Sequence, residues 1–270
     1  MEGCGCMERV QVLVATMDQR DLSLLAKMNL QCGAVVANQA GRNEIIVSGD
    51  KKMITTDTRG VGLNRNIALL AADADIVVFA DDDVTYYDGL EENIRNAFRQ
   101  NPKADVMIFG MDMVKDGQVS EKRRLKNGKL HVWQSMRFGT YRIAARRRAL
   151  LRCNIMFNQN FGGGCPFSSG EDSLFLKACF NNGLRVYGSE YVLGTCAKDS
   201  SSWFTGYHEK YFYDKGVLMR YLFPRIPRVM ALYFAIRFKR KSELTVKQRV
   251  KWMLKGANNG KTFQPFTTEK

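Results

Sequence analysis

The chain has 270 residues, enough for one large α/β domain with an appendage or for two small domains. Apolar residues make up 45% of it, which excludes a globally disordered chain. The formal net charge is +14 and lies in two places: residues 206–270 hold 15 Lys/Arg against 4 Asp/Glu, and residues 115–152 hold 12 against 2, so the remaining body is net acidic.

Basic regions of that density imply phosphate-rich partners: nucleic acid, anionic lipid, or a diphosphate-linked substrate. The seven cysteines (Cys4, Cys6, Cys32, Cys153, Cys165, Cys179, Cys196) are odd in number and form no C-x-x-C pair. The two histidines, His131 and His208, are far apart in sequence. A disulfide framework and a Cys/His zinc site are therefore not expected, and a reducing cytoplasm fits the chain. No signal-peptide pattern opens the sequence, and Met1–Cys6 reads as a dispensable leader.

Val10–Ala15 (VQVLVA) is a continuous apolar run of strand length, as expected of a strand buried on both faces of a parallel sheet. Asp18 or Asp21 can open the amphipathic helix that follows, with Leu22, Leu25 and Ala26 at helical spacing. Strands are expected at Gly33–Ala37 and Glu44–Ser48. A helix is expected over Gly60–Asp73, with Ile67, Leu70, Ala71 and Ala74 on its inner face. The run Ile76–Ala80 (IVVFA) is another buried strand and leads directly into Asp81-Asp82-Asp83. Leu90, Ile94, Ala97 and Phe98 mark the next helix, which Pro102 ends, and Asp105–Phe109 is again a strand. Strands alternating with helices over residues 9–110 predict βαβ units and a mostly parallel sheet. Ligands bind such sheets beyond the carboxyl ends of the strands, which singles out Thr16 to Asp18, Asn38-Gln39 and Asp81 to Asp83.

Past Val114 the charged segment Lys115–Lys129 reads as a loop or hairpin, Gly139–Ala145 as a short strand, and Arg146–Arg152 as a short basic helix. Cys153–Gly170 is uncharged over 18 residues and contains Gly162-Gly163-Gly164, the pattern of a long functional loop. Glu171–Asn181 reads as a helix and Arg185–Val192 as a strand. In the basic C-terminal region Val229–Ile236 is only eight residues long. That is too short to span a bilayer, and an interfacial amphipathic element is expected there, with arginines and lysines meeting lipid phosphates.

Three adjacent carboxylates at the end of a buried strand repel one another, and a divalent cation would relieve that. Hard oxygen ligands suit Mg²⁺ or Mn²⁺, which keep positions open for diphosphate oxygens. Gly60-x-Gly62 lacks a third glycine, since Arg65 stands there, so a dinucleotide fingerprint is not expected.

The run Arg59–Val84, RGVGLNRNIALLAADADIVVFADDDV, resembles glycosyltransferase family 2, in which an arginine-containing helix leads into a strand ending in a D-x-D motif. Ser169–Leu176, SGEDSLFL, is similar to the family's E-D motif, and the two motifs stand in the family's order within residues 9–200. The resemblance implies a GT-A type three-layer α/β/α fold with a mostly parallel central sheet, extended by a basic C-terminal helical region. It implies a nucleotide-sugar-binding half over 9–114, an acceptor-binding half of the same domain over 115–205, and a basic amphipathic region over 206–270.

It further implies an inverting hexosyl or N-acetylhexosaminyl transfer from a nucleotide diphosphate sugar, UDP-linked by preference. The acceptor would be a glycan or a lipid-linked glycan of cell-surface polysaccharide synthesis, at the inner face of an anionic membrane. In that reading Asp83, with Asp81, binds Mn²⁺ or Mg²⁺, while Asp81 and Asp82 touch the donor ribose or sugar. Thr16, Asp18, Asn38 and Gln39 lie against the base, and Arg59 and Arg65 face the base or diphosphate. Asp172 is the general base, kept ionised by a helix N-terminus, and Gly170, Glu171 and Trp203 face the acceptor. His208 is a possible further metal ligand.

Two rival readings stay open. A sugar nucleotidyltransferase shares the sheet and the acidic site but needs a glycine-rich basic loop after the first strand, where this chain has Thr16-Met17-Asp18-Gln19. A basic nucleic-acid-binding protein would use residues 206–270 and leaves the aspartate triplet without a role.

Overall fold

The computed structural model describes residues 7–197, 206–238 and 242–260. One sheet runs through the larger part of the chain in the order β3-β4-β2-β1-β5-β10-β7-β11-β6. Its parallel heart consists of β1 (Val10–Met17), β2 (Gly33–Gln39), β4 (Lys51–Thr56) and β5 (Ile76–Asp81). Beyond β5, β10 (Ile143–Arg146) is inserted antiparallel between β5 and β7 (Val106–Lys115), and β7 pairs in parallel with β11 (Val186–Ala197). The edges are antiparallel: β3 (Glu44–Ser48) on β4, and β6 (Val84–Tyr86) on β11. The charged segment after Val114 is a hairpin of β7 with β8 (Gln118–Arg123), followed by the two-residue β9 (Gly128–Lys129) on β11.

Strand alternation decides which face each apolar residue enters. Val10, Val12 and Val14 of β1 and Ile76, Val78 and Ala80 of β5 enter one core. There they meet Leu24 and Leu25 of α1 (Ser23–Lys27) and Ile94, Ala97 and Phe98 of α3 (Leu90–Gln100). Leu13, Val77 and Phe79 point the other way, onto α2 (Val61–Ala71), α4 (Arg147–Arg152) and α5 (Glu171–Asn181). Helices on both faces of one sheet make the three-layer α/β/α arrangement expected of the sequence, because a strand apolar on both sides must be covered on both.

The sequence-predicted inner face of α2 is corrected by the structure at one position. Leu70 is 59% exposed, whereas Ala74 is buried and Ile67 and Ala71 pack half-buried against the core; the fully buried set also includes Arg65, Ala68, Leu69 and Ala72, with Asn64 and Asn66 beside it. Hydrophobic periodicity missed this because polar side chains occupy buried positions there. Asn64 donates from Nδ2 to the carbonyls of Thr16 and Ala37, at 3.2 and 2.7 Å. Asn66 exchanges two hydrogen bonds with the backbone of Phe157. The helix is thus fastened to the ends of β1 and β2 and to the 153–170 loop. β4 and β6 were not expected either, since their short, partly polar sequences carry no run of apolar residues.

The C-terminal region folds as α6 (Glu209–Leu222), α7 (Pro227–Arg237) and α8 (Val246–Asn259) around a core of their own. Phe161 and Phe167 from the 153–170 loop enter that core and tie it to the sheet domain. α6 and α8 touch backbone to backbone. A Cβ on Gly216 would lie 2.1 Å from the Met253 carbonyl oxygen, and one on Gly256 2.0 Å from that of Tyr213, so only glycine fits at the crossing.

Candidate active site

The carboxyl ends of β1, β2 and β5 lie side by side: Ala15 is in register with Asp81, Thr16 with Asn38, and Met17 with Gln39. Beyond them opens a cleft of about 440 Å³. Asp18, Gln39 and Arg59 line it, as expected for the donor, joined by Met17, Ala40 and Gly41. Asp18 holds a left-handed φ of 56°, and Gln39 Oε1 takes the backbone N–H of Gly60 at 2.7 Å, which fixes the entry to α2. Asp57 and Thr58 also line the cleft and were missed from the sequence. They follow β4, whose sequence KKMITT carries too few apolar residues to signal a strand.

Three expected donor contacts are turned inward instead. Asn38 is fully buried; its amide takes the backbone N–H of Gln19 and donates to the Gln19 carbonyl and to Thr55 Oγ1. It shapes the cleft by holding the loop after β1. Thr16 is 3% exposed and donates from Oγ1 to Asp82 Oδ2 at 2.6 Å. Arg65 is 4% exposed. Its Nη2 meets Asp81 Oδ1 at 2.5 Å and its Nη1 meets Glu171 Oε1 at 3.0 Å. One guanidinium therefore joins the strand end that carries the aspartate triplet to the helix that carries Asp172.

The triplet gives each carboxylate a different neighbour. Asp81 is paired with Arg65, Asp82 accepts from Thr16, and Asp83 has the Cys196 thiol at 3.6 Å. Burial together with the charges of Asp81 and Asp82 pushes the Asp83 carboxyl up to about 6. Arg65 offsets part of the Asp81 charge, and Asp83, an exposed residue whose carboxyl group lies against its neighbours, has no cationic partner of its own among the salt bridges of the described residues. A cation there would find one or two hard protein oxygens and room for others, the pattern by which Mg²⁺ is held against phosphates. No group of three His, Cys, Asp or Glu side chains forms a ready-made metal cage among the described residues. His208, immediately before α6, belongs to no such group, and Trp203 lies outside the described residues.

Glu171 and Asp172 open α5. Glu171 takes Arg65 on Oε1 and the Gly170 N–H on Oε2, at 3.0 Å each. Asp172 Oδ1 takes both the N–H and the hydroxyl of Ser173. The position at a helix N-terminus led to an expectation of a readily ionised Asp172. Its carboxyl is instead raised above the usual range, because burial and the neighbouring Glu171 outweigh the Ser173 N–H and the positive charges of Lys215 and Arg65. Gly170 has φ 125°, and a Cβ there would lie 2.5 Å from Leu218 of α6. Asp214 of α6 accepts from the Ser168 N–H at 2.9 Å, so the helix braces the segment before Asp172 from behind.

Residues 42–161 match the model of Glycosyl transferase family 2, which covers the triplet and α2 but stops short of Glu171-Asp172. The match contains the first of the two motifs that carry the resemblance and not the second. No curated protein sequence matches the chain. Among solved structures, S. aureus TarS residues 1–349 in complex with UDP-GlcNAc superposes with a TM-score of 0.59 at 16% identity, over 94% of this chain and 73% of that one. The same fragment in complex with UDP gives 0.57 at 17% identity, over 94% and 72%. At that identity the likeness establishes the fold, and the fold is of the GT-A type.

Proposed function

We propose that this chain is an inverting glycosyltransferase that moves a hexose or N-acetylhexosamine from a nucleotide diphosphate sugar, UDP-linked by preference, to a glycan or lipid-linked acceptor. The observation that carries the reading is the Arg65 bridge, 2.5 Å to Asp81 and 3.0 Å to Glu171, which joins the two acidic motifs through one guanidinium. The fold shared with a UDP-GlcNAc complex and the family match over 42–161 support it.

In this reading the nucleotide occupies the cleft lined by Asp18, Gln39, Asp57 and Arg59. Asp57 offers a carboxylate acceptor for an N–H on the edge of a base, such as the N3–H of uracil. Asp83, seconded by the neighbouring carboxylates, holds Mn²⁺ or Mg²⁺. When bound, the ion offsets the charge that develops on the departing diphosphate. Asp172 removes the proton from the acceptor hydroxyl as that oxygen attacks the anomeric carbon from the face opposite the leaving group. A raised pKa suits this task, since a more basic carboxylate takes the proton more completely. Glu171, held by Arg65 and Gly170, orients the segment that meets the acceptor. The reaction is placed at the inner, anionic face of a membrane, in cell-surface polysaccharide synthesis, on the strength of the basic C-terminal region.

The test is release of nucleoside diphosphate across a donor panel, with and without Mn²⁺. Turnover with UDP-sugars that needs the metal and is lost in Asp83→Ala is expected. Metal-independent turnover would remove Asp83 from the site, and absence of turnover with every donor would remove the reading.

A further inference from the structure

α7 is a helix with its apolar face turned outward. Ala231 and Ala235 are fully buried against the other two helices of the region, whereas Val229, Leu232, Tyr233 and Ile236 are between 42% and 62% exposed. Those four recur at i, i+3, i+4 and i+7, so they form one stripe along the helix. Lone exposed apolar residues need no explanation, but a contiguous stripe marks a contact surface.

A second observation points to the occupant. At the start of the stripe, where α6, α7 and α8 meet, a cleft of about 400 Å³ is lined by Arg220, Arg225 and Arg228 together with Ile226 and Val229. No carboxylate lines it, and none of the three arginines has a carboxylate partner among the described residues. Arg228 is aimed by a hydrogen bond from Nε to Asn258 Oδ1 at 2.8 Å. Guanidinium groups above an apolar stripe match the order of groups in an anionic lipid leaflet, with phosphate outside and acyl chain within. Among the described residues no helix is long and apolar enough to cross a membrane, so the contact lies in the interface plane.

We propose that the outward face of α7 is a membrane-docking surface and that Arg220, Arg225 and Arg228 grip the phosphate of an anionic phospholipid at its N-terminal end. The inference rests on the proposed function for its purpose, because α6, which packs on α7, also braces the Gly170 segment through Leu218 and Asp214. Docking through α7 would then fix the Asp172 cleft at a set height above the bilayer, where a lipid-linked acceptor presents its hydroxyl.

The test uses the full chain and vesicles of phosphatidylcholine with or without phosphatidylglycerol, read by co-sedimentation. Binding to the anionic vesicles is expected, weakening as salt rises. Arg225→Gln/Arg228→Gln should weaken it about 30-fold, from roughly 1 kcal/mol for each basic residue near a charged surface. Leu232→Glu/Ile236→Glu should abolish it. Both pairs are exposed and outside the donor cleft, so donor hydrolysis should stay at the wild-type rate and report an intact fold. Equal binding to neutral vesicles, no binding to either kind, or wild-type binding by both variants would each overturn the proposal. So would a dimer in solution that Leu232→Glu/Ile236→Glu dissociates, or duplex DNA binding that displaces the vesicles. Vesicle binding by a chain that hydrolyses no donor would sink the proposed function and leave the docking surface standing.

Discussion

Asp83 and Asp172 are both carboxylates with raised pKa values, in motifs joined through one arginine, yet their surroundings differ. Asp83 is an exposed residue at a strand end whose carboxyl group, set against its neighbours, is pushed up by that partial burial and by two adjacent aspartates. Asp172 sits half-buried in the first turn of a helix, raised by burial and by Glu171. The first arrangement is relieved by a cation, which can reach an open site and bring its own water and phosphate ligands. The second is relieved by a proton, which needs no room. On the proposed function the same side chain takes a metal-binding or a proton-taking task according to what stands next to it, and Arg65, paired with Asp81 and Glu171, stands between the two.

The largest expected effect breaks the comparison on the helix side. Asp172→Asn should lower transfer about 10³-fold, within the range for loss of a general base. Calorimetric affinity for the donor should be unchanged, and a matching loss of affinity would move Asp172 to the donor side. The folded-state pKa of Asp172 is raised, so its protonated form stabilises the fold below the ordinary carboxylate value of 3.8. That contribution is lost as pH rises through the raised value. At pH 7 the charge is therefore a cost, and Asp172→Asn should melt about 2–4 °C higher than the wild type. For the wild type, kcat/KM should fall as pH drops through the same window, since the base must be ionised. A flat acid limb would show that proton removal is not what limits the reaction.

Next in size is the removal of the shared partner. Arg65→Met leaves Asp81 and Glu171 without their counter-ion, and stripping one side of a buried ion pair costs about 3–5 kcal/mol. Chemical denaturation should show that loss, and the further change Glu171→Gln should return part of it. Stability equal to the wild type would mean that the bridge does not hold the two motifs together. On the strand side, Asp83→Asn should reduce turnover on the order of 10²-fold and abolish the Mn²⁺ dependence of UDP binding, since a metal contributes several kcal/mol at a developing phosphate charge. Retained Mn²⁺ dependence would shift the cation to Asp81 or Asp82.

Where the sequence was legible, a single physical rule governed the element. The runs VQVLVA and IVVFA could be read as doubly buried strands because both their faces are apolar, and α3 because its inner face is Leu90, Ile94, Ala97 and Phe98. The carboxyl ends of the parallel strands then pointed to the cleft, which Asp18 and Gln39 line. What escaped was polar burial. Asn38, Asn64, Arg65 and Asn66 are among the least exposed residues of the chain, and each is paid for by hydrogen bonds to partners 16 to 106 positions away in sequence. No local pattern records such partners, so nothing in the sequence signals that Leu70 of α2 is exposed while Asn64, Arg65 and Asn66 are buried, or that Asn38 turns inward. Asp57 escaped for a related reason, because its position depends on β4, whose pairing with β2 is a long-range fact.

The smallest effect sharpens the strand side further. Thr16 is buried and Asp82 is exposed, so the 2.6 Å hydrogen bond between them is made half in water, and its loss should cost about 1 kcal/mol, below the range for fully buried charged bonds. Thr16→Val keeps the shape and removes the donor. With its anchor gone, Asp82 is free to turn toward the cation beside Asp83, so Mn²⁺ affinity in the donor complex should rise about fivefold while the melting point falls by about 2–4 °C. If the hydrogen bond serves only to tie β1 to the turn after β5, the melting point will fall and Mn²⁺ affinity will stay fixed. That outcome would make Asp82 a structural residue and leave Asp83 to meet the metal without it.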